Sequence, residues 1–434
     1  MDQSVDLAAN LINLAPPTEP TAPSGTDMTP SNLIKLLAHR CESLLNVFHG
    51  PRHKVTQNLY MLIATMHRFS FLILLATCVL ATAELTQKGI VREFQRTLKK
   101  FSTGNLQNKA SLRSSFKNFR KFALLVDYIN HDVTIPFMTE LNKFSIEPLS
   151  DMDIHFGLNA SNLVMGEEGI SSAIEEMEAS DSPVERYLQT QDQPESVDWR
   201  DTLSTPQDQG KCGSCWSFSS VTSVEAAYYR ATGIRKEFSY QELVDCLFEG
   251  RRYGNGCLGA DITSGLMWVL RNKHLASRIS YPYVARDGDC KRDTKPNSWT
   301  NVAVRRLYRV PKSDEALLSA VVGGVVSVGV KGGRSLFAYK TGIYEDRYLC
   351  RATSIPNHAV NLVGYGEEGG RKFWRIRNSW GSEWGEGGYY RMTRDKVNHC
   401  KINRTALRLD LRCLKRDQCW KDELDHQESD QAHE

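Results

Sequence analysis

Two stretches of the chain repeat apolar residues at intervals of three and four, the spacing of one face of an α-helix. In the first stretch the repeat consists of Phe116, Phe119, Phe122, Val126 and Ile129. In the second stretch, Cys215 to Thr232, the repeat consists of Phe218, Val221, Val224 and Tyr228. Gly233 follows the second repeat, and glycine commonly ends a helix because it adopts the left-handed conformation without strain. The pattern therefore predicts two amphipathic helices, the second beginning at Cys215.

The chain beyond residue 194 changes from helical to strand-like patterning along its length. The segment SYQELVDC predicts another helix, because Ser239 and Glu242 can form a capping box, and a further helix is expected near Ser313. Four later segments, VVSVGV, HAVNLVGYG, KFWRIRNSW and GYYRMTR, are rich in β-branched and aromatic residues and predict strands. Helices followed by strands are typical of an α+β fold with two subdomains.

A short apolar run early in the chain has the features of a signal peptide. A basic start and an apolar run, MHRFSFLILLATCVL, precede the small residues ATA at 81–83, a typical cleavage site. The run is short for a membrane span of about 20 residues, so no stable membrane insertion is expected after cleavage. Because signal peptides begin chains, we hypothesise that Met66 or Met61 is the natural start.

Composition then divides the chain into five predicted segments. The stretch APPTEPTAPSGTDMTP lacks the apolar residues needed for a core, and acidic residues accumulate before Pro194. The segments are a disordered or artefactual extension (1–65), a signal peptide (66–83), a helical and acid-rich region (84–192), the main folded domain (193–412) and a polar tail (413–434).

Charge and cysteine content narrow the functional classes. The 434 residues carry a net charge of +3, and basic and acidic residues are mixed along the chain, which excludes the basic patch typical of nucleic-acid binding. Most of the 11 cysteines lie between residues 212 and 419, a pattern typical of disulfides formed in an oxidising compartment. With the signal peptide, this predicts a protein of the secretory pathway.

The segment QGKCGSCWSF contains two cysteines, Cys212 and Cys215, at a spacing shared by zinc sites and redox dithiols. A structural zinc site needs a second close pair of ligands, and the remaining cysteines are scattered. A thioredoxin-like dithiol follows a strand, whereas the polar stretch STPQDQGK precedes Cys212. The sequence therefore predicts no metal and no cofactor, and favours a nucleophilic cysteine.

Cys215 is the candidate nucleophile because the start of a helix stabilises a negatively charged sulfur. A catalytic thiolate also needs a base or a cation beside it, and His358 in NHAVNLVGYG is the candidate. Asn378 could fix the imidazole by a hydrogen bond, and Gln209 could donate its amide to an oxyanion. Each of these residues alone is also compatible with a purely structural role.

Together the residues resemble the papain-like cysteine proteases of the cathepsin L-like group, whose signature is C-G-[SA]-C-[WY] with a histidine and an asparagine downstream. The resemblance implies an α+β fold with a helical left domain, a β-barrel-like right domain and an active-site cleft between them, preceded by a helical propeptide. The matching motifs, in the order of the family, are VDWR (197–200), DQGKCGSCWSFS (208–219), ELVDC (242–246), YPY (281–283), VGYG (363–366) and NSWGSEWGEGGYY (378–390).

The resemblance implies an endopeptidase that hydrolyses polypeptides through a thioester on Cys215. His358 matches the imidazolium partner and general acid, and Asn378 the residue that orients it. The supporting residues implied are Gln209 for the oxyanion, Trp380 over the histidine and Trp216 behind the nucleophile. The disulfides implied are Cys212–Cys257, Cys246–Cys290 and Cys350–Cys400. Cys413 and Cys419 have no counterpart in the family, and a fourth bridge between them is expected in the tail.

The substrate-binding residues are also implied by motif matching. A pocket for the second residue before the scissile bond is expected to prefer Leu, Val or Phe, and its walls are Ile262, Gly329, Pro356, Ala359 and Thr405. On the facing side the family's C-x-G-G becomes Cys257-Leu258-Gly259-Ala260, so that a methyl group stands where substrate backbone is expected. Asp261 follows, and it either favours basic groups or faces water.

The region 84–192 resembles the inhibitory propeptide of the family. Asn142 and Phe144 match its docking motif, whereas the expected Gly and Asp are replaced by Glu140 and Ile146. The segment TELNKFSIEPLSDM is expected to dock on the enzyme, and the following chain to cross the cleft in reverse and block Cys215. The expectation is a monomeric, lysosomal or secreted zymogen that is activated in acid by cleavage near Gln193.

Two other functions fit parts of the sequence. The altered propeptide motif and Ala260 would suit a catalytically weak relative that acts as a binding or matrix protein. A thiol–disulfide oxidoreductase would instead require both Cys212 and Cys215 for thiol exchange. The presence of all four candidate catalytic residues favours an active protease over either.

Overall fold

The structure is a computed structural model and describes residues 88–101, 109–158, 175–176, 194–247, 256–292, 299–302, 304–346, 349–350 and 354–411. The predicted N-terminal extension, the signal peptide and the tail pair Cys413–Cys419 lie outside the described residues. Within those ranges, no helix combines the length and the apolar character needed to cross a bilayer.

The described residues contain more helix early in the chain and more strand late in it, which confirms the α+β prediction. The helices are α1 (88–101), α2 (Lys109–His131), α3 (Leu149–Met152), α4 (Cys215–Thr232), α5 (Tyr240–Cys246), α6 (Ile262–Asn272), α7 (Asp314–Val322) and α8 (Arg334–Ala338). The strands are β1 (Phe137–Thr139), β2 (Glu175–Glu176), β3 (Val197–Asp198), β4 (His274–Ala276), β5 (Trp299–Asn301), β6 (Val304–Arg309), β7 (Val326–Val330), β8 (Tyr339–Tyr344), β9 (His358–Glu368), β10 (Arg371–Arg377), β11 (Tyr389–Thr393) and β12 (Ala406–Leu411).

One mixed sheet contains most of these strands. Its order is β1-β8-β11-β10-β9-β7-β12-β6-β2, β3 pairs with β9, and β4 and β5 form a separate pair. The β8–β11 and β2–β6 pairs are parallel, whereas the long β9 pairs antiparallel with both β7 and β10. Strand β9 therefore begins, at His358, in the middle of the sheet.

Two compact units divide the chain, at residues 1–123 and 124–434. In the first unit, the ring of Phe94 lies 5.0 Å from the ring of Phe116 and 5.2 Å from that of Phe119. The boundary between the two units falls inside α2. In the second unit, β1 pairs with β8 and adds part of the predicted propeptide to the sheet.

Helix α4 is the central element of the second unit, and it is buried on nearly every side. Its apolar residues pack in a core with α5, α6, β6 and β12. Its serines face the sheet, where Ser219 Oγ donates to Val360 O at 3.0 Å and Ser223 Oγ contacts Ser327 Oγ at 2.7 Å. The helix ends at Gly233 in the left-handed conformation, with φ at 70°. These contacts fix the position of its first residue, Cys215.

Only one of the two hydrogen bonds of the capping box predicted for α5 forms. Ser239 Oγ accepts the N–H of Glu242 at 3.0 Å, as expected for an N-cap. The carboxylate of Glu242, however, accepts the N–H of Ala276 at 2.7 Å instead of turning back to Ser239, whose own N–H donates to Ala276 O at 3.0 Å. The side chain of Glu242 is thereby fully buried, with Arg292 at 3.5 Å.

Replacing Glu242 by glutamine is expected to stabilise the protein at neutral pH. Burial raises the pKa of Glu242 from 4.5 to about 7, against the hydrogen bond from Ala276 and the charge of Arg292, which lower it. Its contribution to stability is therefore fully present below pH 4.5 and is lost as the pH rises through 7, by up to about 3 kcal/mol. Glutamine keeps the acceptor without the charge.

The measurement is urea unfolding between pH 4.5 and 8. The wild-type protein should lose stability as the pH rises, and Glu242→Gln should flatten that loss, whereas the exposed control Glu367→Gln should leave it unchanged. Equal pH dependence in Glu242→Gln and the wild type would contradict the assignment of this loss to Glu242.

Candidate active site

Cys215 opens helix α4 and its side chain is fully buried. Ser214 is the N-cap residue, and its Oγ contacts the hydroxyl of Tyr283 at 2.6 Å. The preceding loop is held by the disulfide Cys212–Cys257. Among the cysteines that the structure describes, Cys215 alone carries a free thiol. The other two described disulfides join Cys246 to Cys290 and Cys350 to Cys400.

His358 and Asn378 come together from neighbouring strands. His358 is the first residue of β9, and Asn378 directly follows β10. Nε2 of His358 lies 2.8 Å from Oδ1 of Asn378, which also accepts the N–H of Ser379 at 2.8 Å. Since Oδ1 is an acceptor, the imidazole donates through Nε2, which leaves Nδ1 as the nitrogen available to a neighbouring group.

The sulfur of Cys215 lies beside this histidine. The N–H of Ala359, the residue after His358, donates to Sγ of Cys215 at 3.4 Å. Trp380 covers the imidazole, with the two rings nearly parallel at 22° and their centroids 4.9 Å apart. Trp216, the residue after Cys215, is buried behind it and donates to Gly256 O at 3.0 Å. The sequence motifs are therefore brought together around one sulfur.

Gln209 is held in a fixed orientation near Cys215. Its Oε1 accepts the hydroxyl of Ser379 at 2.6 Å, which turns the amide nitrogen toward the cleft. That nitrogen donates to Cys212 O at 2.9 Å and to His155 O at 3.3 Å. The main-chain carbonyl of His155, in the predicted propeptide, thus accepts a hydrogen bond from the amide that was predicted to bind an oxyanion.

Residues 156–158 of the predicted propeptide cross directly over this site. The ring of Phe156 lies 5.6 Å from that of His358 and 6.1 Å from that of Trp380. Gly157 lies so close to Gly213 that a Cβ atom at this position would be 1.8 Å from Gly213 O. The Gly157 carbonyl accepts the N–H of Ala260 at 3.1 Å, and the N–H of Leu158 donates to Asn357 O at 3.1 Å. Main-chain hydrogen bonds therefore hold the segment to both walls.

The Leu158 side chain fills the predicted substrate pocket. It is buried with Ala260, Ile262 and Ala359 in one apolar cluster. A Cβ atom at Gly329 would lie 2.9 Å from Cδ2 of Leu158, 3.2 Å from Pro356 and 3.6 Å from Thr405, so the pocket has room because this wall is glycine. Gly259 lines the same channel with φ at 100°, and a Cβ there would be 2.5 Å from Gly157 O.

Asp261 does not face the cleft, and both expectations for it were wrong. Its carboxylate is the N-cap of α6 and accepts the N–H of Thr263 at 2.9 Å. The residue is 6% exposed, so it faces neither substrate nor bulk water. Burial raises the pKa of this carboxyl, against hydrogen bonds from Thr263, Ser264 and Ile262 that lower it.

The docking segment predicted at TELNKFSIEPLSDM packs against Phe337, Ala338 and Trp380. Nδ2 of Asn142 donates to Phe337 O at 2.7 Å, and the N–H of Glu140 donates to Ala338 O at 2.8 Å. Phe144 is fully buried, with its ring 4.6 Å from that of Phe337 and 5.1 Å from that of Trp380. Ile146, at the position of the missing acid, is also buried.

The covered site holds its thiol and imidazole uncharged. Burial raises the pKa of the Cys215 thiol to about 11, although N–H groups of Ala359 and Gly157 oppose the shift. Burial likewise lowers the pKa of His358 to about 4, against the hydrogen bond with Asn378. Between about pH 4 and pH 11, the proton that Cys215 and His358 could exchange therefore lies on sulfur, and both side chains are neutral. Cys215 is therefore a neutral thiol while residues 156–158 cover it.

Several site residues escaped the sequence analysis. Ser379 orients Gln209, Tyr283 donates from its hydroxyl to Gln209 O at 2.8 Å, and Gly157 permits the close crossing. Ser379 and Tyr283 lie within quoted motifs, NSWGSEWGEGGYY and YPY, so membership of a motif was the available signal. No pattern in the chain marked Gly157.

A family model for papain family cysteine proteases matches residues 193–408. Cathepsin S of Bos taurus is 42% identical over 215 residues, a match covering 48% of this chain and 62% of the relative. Digestive cysteine proteinase 1 of Homarus americanus is 37% identical over 226 residues, covering 51% of this chain and 69% of the relative. The chain belongs to the papain family of cysteine proteases. The resemblance inferred from the motifs is confirmed.

The papain-family similarity extends to a proform. The structure of digestive procathepsin L 3 of Tenebrio molitor larval midgut aligns with a TM-score of 0.63 at 26% identity, covering 74% of this chain and 99% of that one. The 216 residues from 193 to 408 are about half of the chain, so this alignment includes residues before them. The matches to cathepsin S of Bos taurus and Mus musculus span 62% and 61% of those relatives.

Proposed function

We propose that this papain-family chain is a cysteine endopeptidase made as an inactive zymogen. The observation that carries the proposal is the grouping of Cys215, His358 and Asn378 beneath residues 156–158. A nucleophile, an imidazole with a fixed tautomer and an orienting amide are the parts needed for acyl transfer to sulfur. The covering segment supplies the inhibitor, as the alignment with a procathepsin supports.

The mechanism begins when the propeptide leaves and water reaches the pair. Cys215 then transfers its proton to Nδ1 of His358, and the helix start and the imidazolium stabilise the thiolate. The thiolate attacks a peptide carbonyl, whose oxyanion accepts from Gln209 Nε2 and the Cys215 N–H. His358 gives its proton to the leaving amine, and a thioester remains. Water, deprotonated by His358, then releases the acid and regenerates the thiol.

Asn378 and Trp380 act on this chemistry through His358. The hydrogen bond of 2.8 Å from Nε2 to Asn378 fixes the imidazole and leaves Nδ1 as the nitrogen that exchanges a proton with sulfur. The indole of Trp380 keeps water from that bond. Neither residue exchanges a proton, so their part is to position the imidazole.

Acid activation requires groups other than the catalytic pair. In the covered site the exchangeable proton lies on the sulfur of Cys215, and in the active site it lies on the imidazole of His358. Uncovering therefore transfers a proton within the pair and takes none up from solvent, so the pair itself does not respond to acid. Among the described residues, three ion pairs join the propeptide to the peptidase: Lys143–Asp208, Asp151–Lys211 and Glu140–Lys340. We propose that loss of these ion pairs loosens the propeptide, followed by cleavage near Gln193.

The activated enzyme is expected to prefer leucine at the second residue before the scissile bond. Leu158 already fills the pocket formed by Gly329, Pro356 and Ala260. Because a buried leucine gains about 2 kcal/mol over an exposed one, kcat/KM for Leu should exceed that for Lys or Asp about 30-fold. Fluorogenic peptides that differ at this position alone measure the effect.

Failure to cleave any peptide, after complete removal of the propeptide, would contradict the proposed activity. Preference for Lys or Arg would instead contradict the pocket assignment alone. Substituting Gly329 by valine should reduce cleavage of leucine peptides more than of alanine peptides, since the new side chain would enter the space of Leu158.

The relatives are cathepsins and digestive proteinases, which supports a place in the secretory pathway. We propose a monomer that is directed to lysosomes or secreted. The rival functions gain no support from the site. Cys212 is bonded to Cys257 and so forms no dithiol with Cys215, and the complete catalytic grouping does not favour a catalytically weak binding protein.

A further inference from the structure

A propeptide lysine shows how the peptidase surface next to the active site holds a cation. The ammonium group of Lys143 contacts the carboxylate Oδ2 of Asp208, and it donates to Trp380 O at 3.0 Å. It also lies 5.0 Å from the centre of the Phe144 ring. The Lys143 side chain is only 28% exposed, so the ammonium is partly withdrawn from water. Both oxygen acceptors belong to the peptidase and remain when the propeptide leaves.

The two acceptors are held in place by the peptidase itself. Oδ1 of Asp208 accepts the N–H of Gly210 at 3.0 Å, which directs Oδ2 outward. The backbone of Asp208 pairs with that of Trp380, and the N–H of Gln209 donates to Ser379 O at 2.8 Å. In the zymogen the nearby cation Lys211 pairs with Asp151 of the propeptide at 2.9 Å and not with Asp208. The hydrogen bonds that position the two acceptors lie within the peptidase and do not involve the propeptide.

Its position relative to the reacting atoms follows from the path of the propeptide. Phe156 contacts Trp380 and His358, Gly157 lies against Gly213, and Leu158 enters the pocket at Gly329. The segment thus runs from Trp380, across Cys215, to that pocket. Asp208 lies on the Trp380 side, where His358 must deliver its proton to the leaving amine.

We infer that Asp208 and the Trp380 carbonyl form a subsite for a lysine or arginine side chain on the leaving-group side of the scissile bond. The inference rests on the proposed peptidase activity and extends it to a substrate class, peptides with a basic residue after the cleaved bond. Lys143 occupies this subsite in the zymogen. A half-exposed carboxylate and a carbonyl give an ammonium two charge-assisted hydrogen bonds, one to a charged acceptor and one to a neutral acceptor.

The test uses the enzyme that is obtained by activating the full-length chain. Its substrates are paired fluorogenic peptides with leucine at the second residue before the scissile bond. Each pair carries lysine or norleucine at one of the first four positions after that bond. At one position, wild-type kcat/KM should favour lysine about five- to ten-fold, the size expected for a half-exposed charge-assisted hydrogen bond. Raising the salt concentration should reduce this ratio.

Asp208→Asn is the matched variant, because its Oδ1 can still accept the N–H of Gly210 while the charge is removed. It should bring the lysine-to-norleucine ratio within two-fold of one. Asp201→Asn, which removes an exposed carboxylate elsewhere, should retain the wild-type ratio. An unchanged ratio in Asp208→Asn, or no lysine preference at any position in the wild type, would overturn the subsite alone. Absence of cleavage of every peptide would overturn the proposed peptidase and the subsite with it.

Discussion

Replacing Cys215 by serine is expected to lower kcat/KM for peptide hydrolysis by about 10⁴-fold or more. A serine hydroxyl in this position stays protonated, because an imidazole held for a thiolate cannot deprotonate it to a useful extent. Removal of the nucleophile from a catalytic group acting as a unit costs as much as removal of the whole group. The residual rate would come from Gln209 and substrate binding alone.

The same variant tests self-processing. A purified Cys215→Ser zymogen should remain at full length under conditions in which the wild type converts, and it should be cleaved when active wild-type enzyme is added. A double variant that changes Cys413 and Cys419 to serine controls for loss of a cysteine as such and should keep full activity. Hydrolysis by Cys215→Ser above about 1% of wild type, with the variant shown to be free of wild-type enzyme, would rule out sulfur as the nucleophile.

The sequence predicted the elements whose signal is local. Helix α4 and its end at Gly233 followed from apolar spacing and from one glycine. Strands β7 and β11 lie within two of the four predicted strand segments, and β9 and β10 overlap the other two and extend one or two residues beyond them. The sequence did not predict that α4 would be buried on its polar side as well. Ser219 and Ser223 look like solvent-facing residues, but they bond to β7 and β9, which follow more than a hundred residues later.

The same distinction between local signals and distant contacts applies to the candidate site. Cys215, His358 and Asn378 lie in motifs, and the structure brings them together. The contacts of Gly157, Asp208 and Asp261 depend on which distant backbone happens to lie next to them, and residue type alone carried no such information. Asp261 illustrates the limit, because a carboxylate next to predicted substrate-binding residues is equally suited to cap a helix.

Gly157→Ala is expected to release the inhibited state of the zymogen. A methyl group at residue 157 would be 1.8 Å from the carbonyl oxygen of Gly213, and both partners are main chain, so residue 157 must move away. Movement would break the hydrogen bonds from Ala260 and Leu158 and would withdraw Leu158 from its pocket. Two hydrogen bonds and one buried leucine amount to about 4 kcal/mol, or roughly 10³-fold in the population of the open site.

The rate of Cys215 alkylation in the uncleaved zymogen measures this population directly. Uncovering relieves the burial that holds the pKa of Cys215 near 11 and that of His358 near 4, so a reactive thiolate replaces a thiol and alkylation should accelerate at least about 100-fold. Met138→Ala, at a propeptide side chain that is 56% exposed, should leave the rate unchanged. After activation, Gly157→Ala and wild type should be identical, because residue 157 has been removed. A slow zymogen rate in Gly157→Ala would mean that the propeptide inhibits by contacts other than its passage over Cys215.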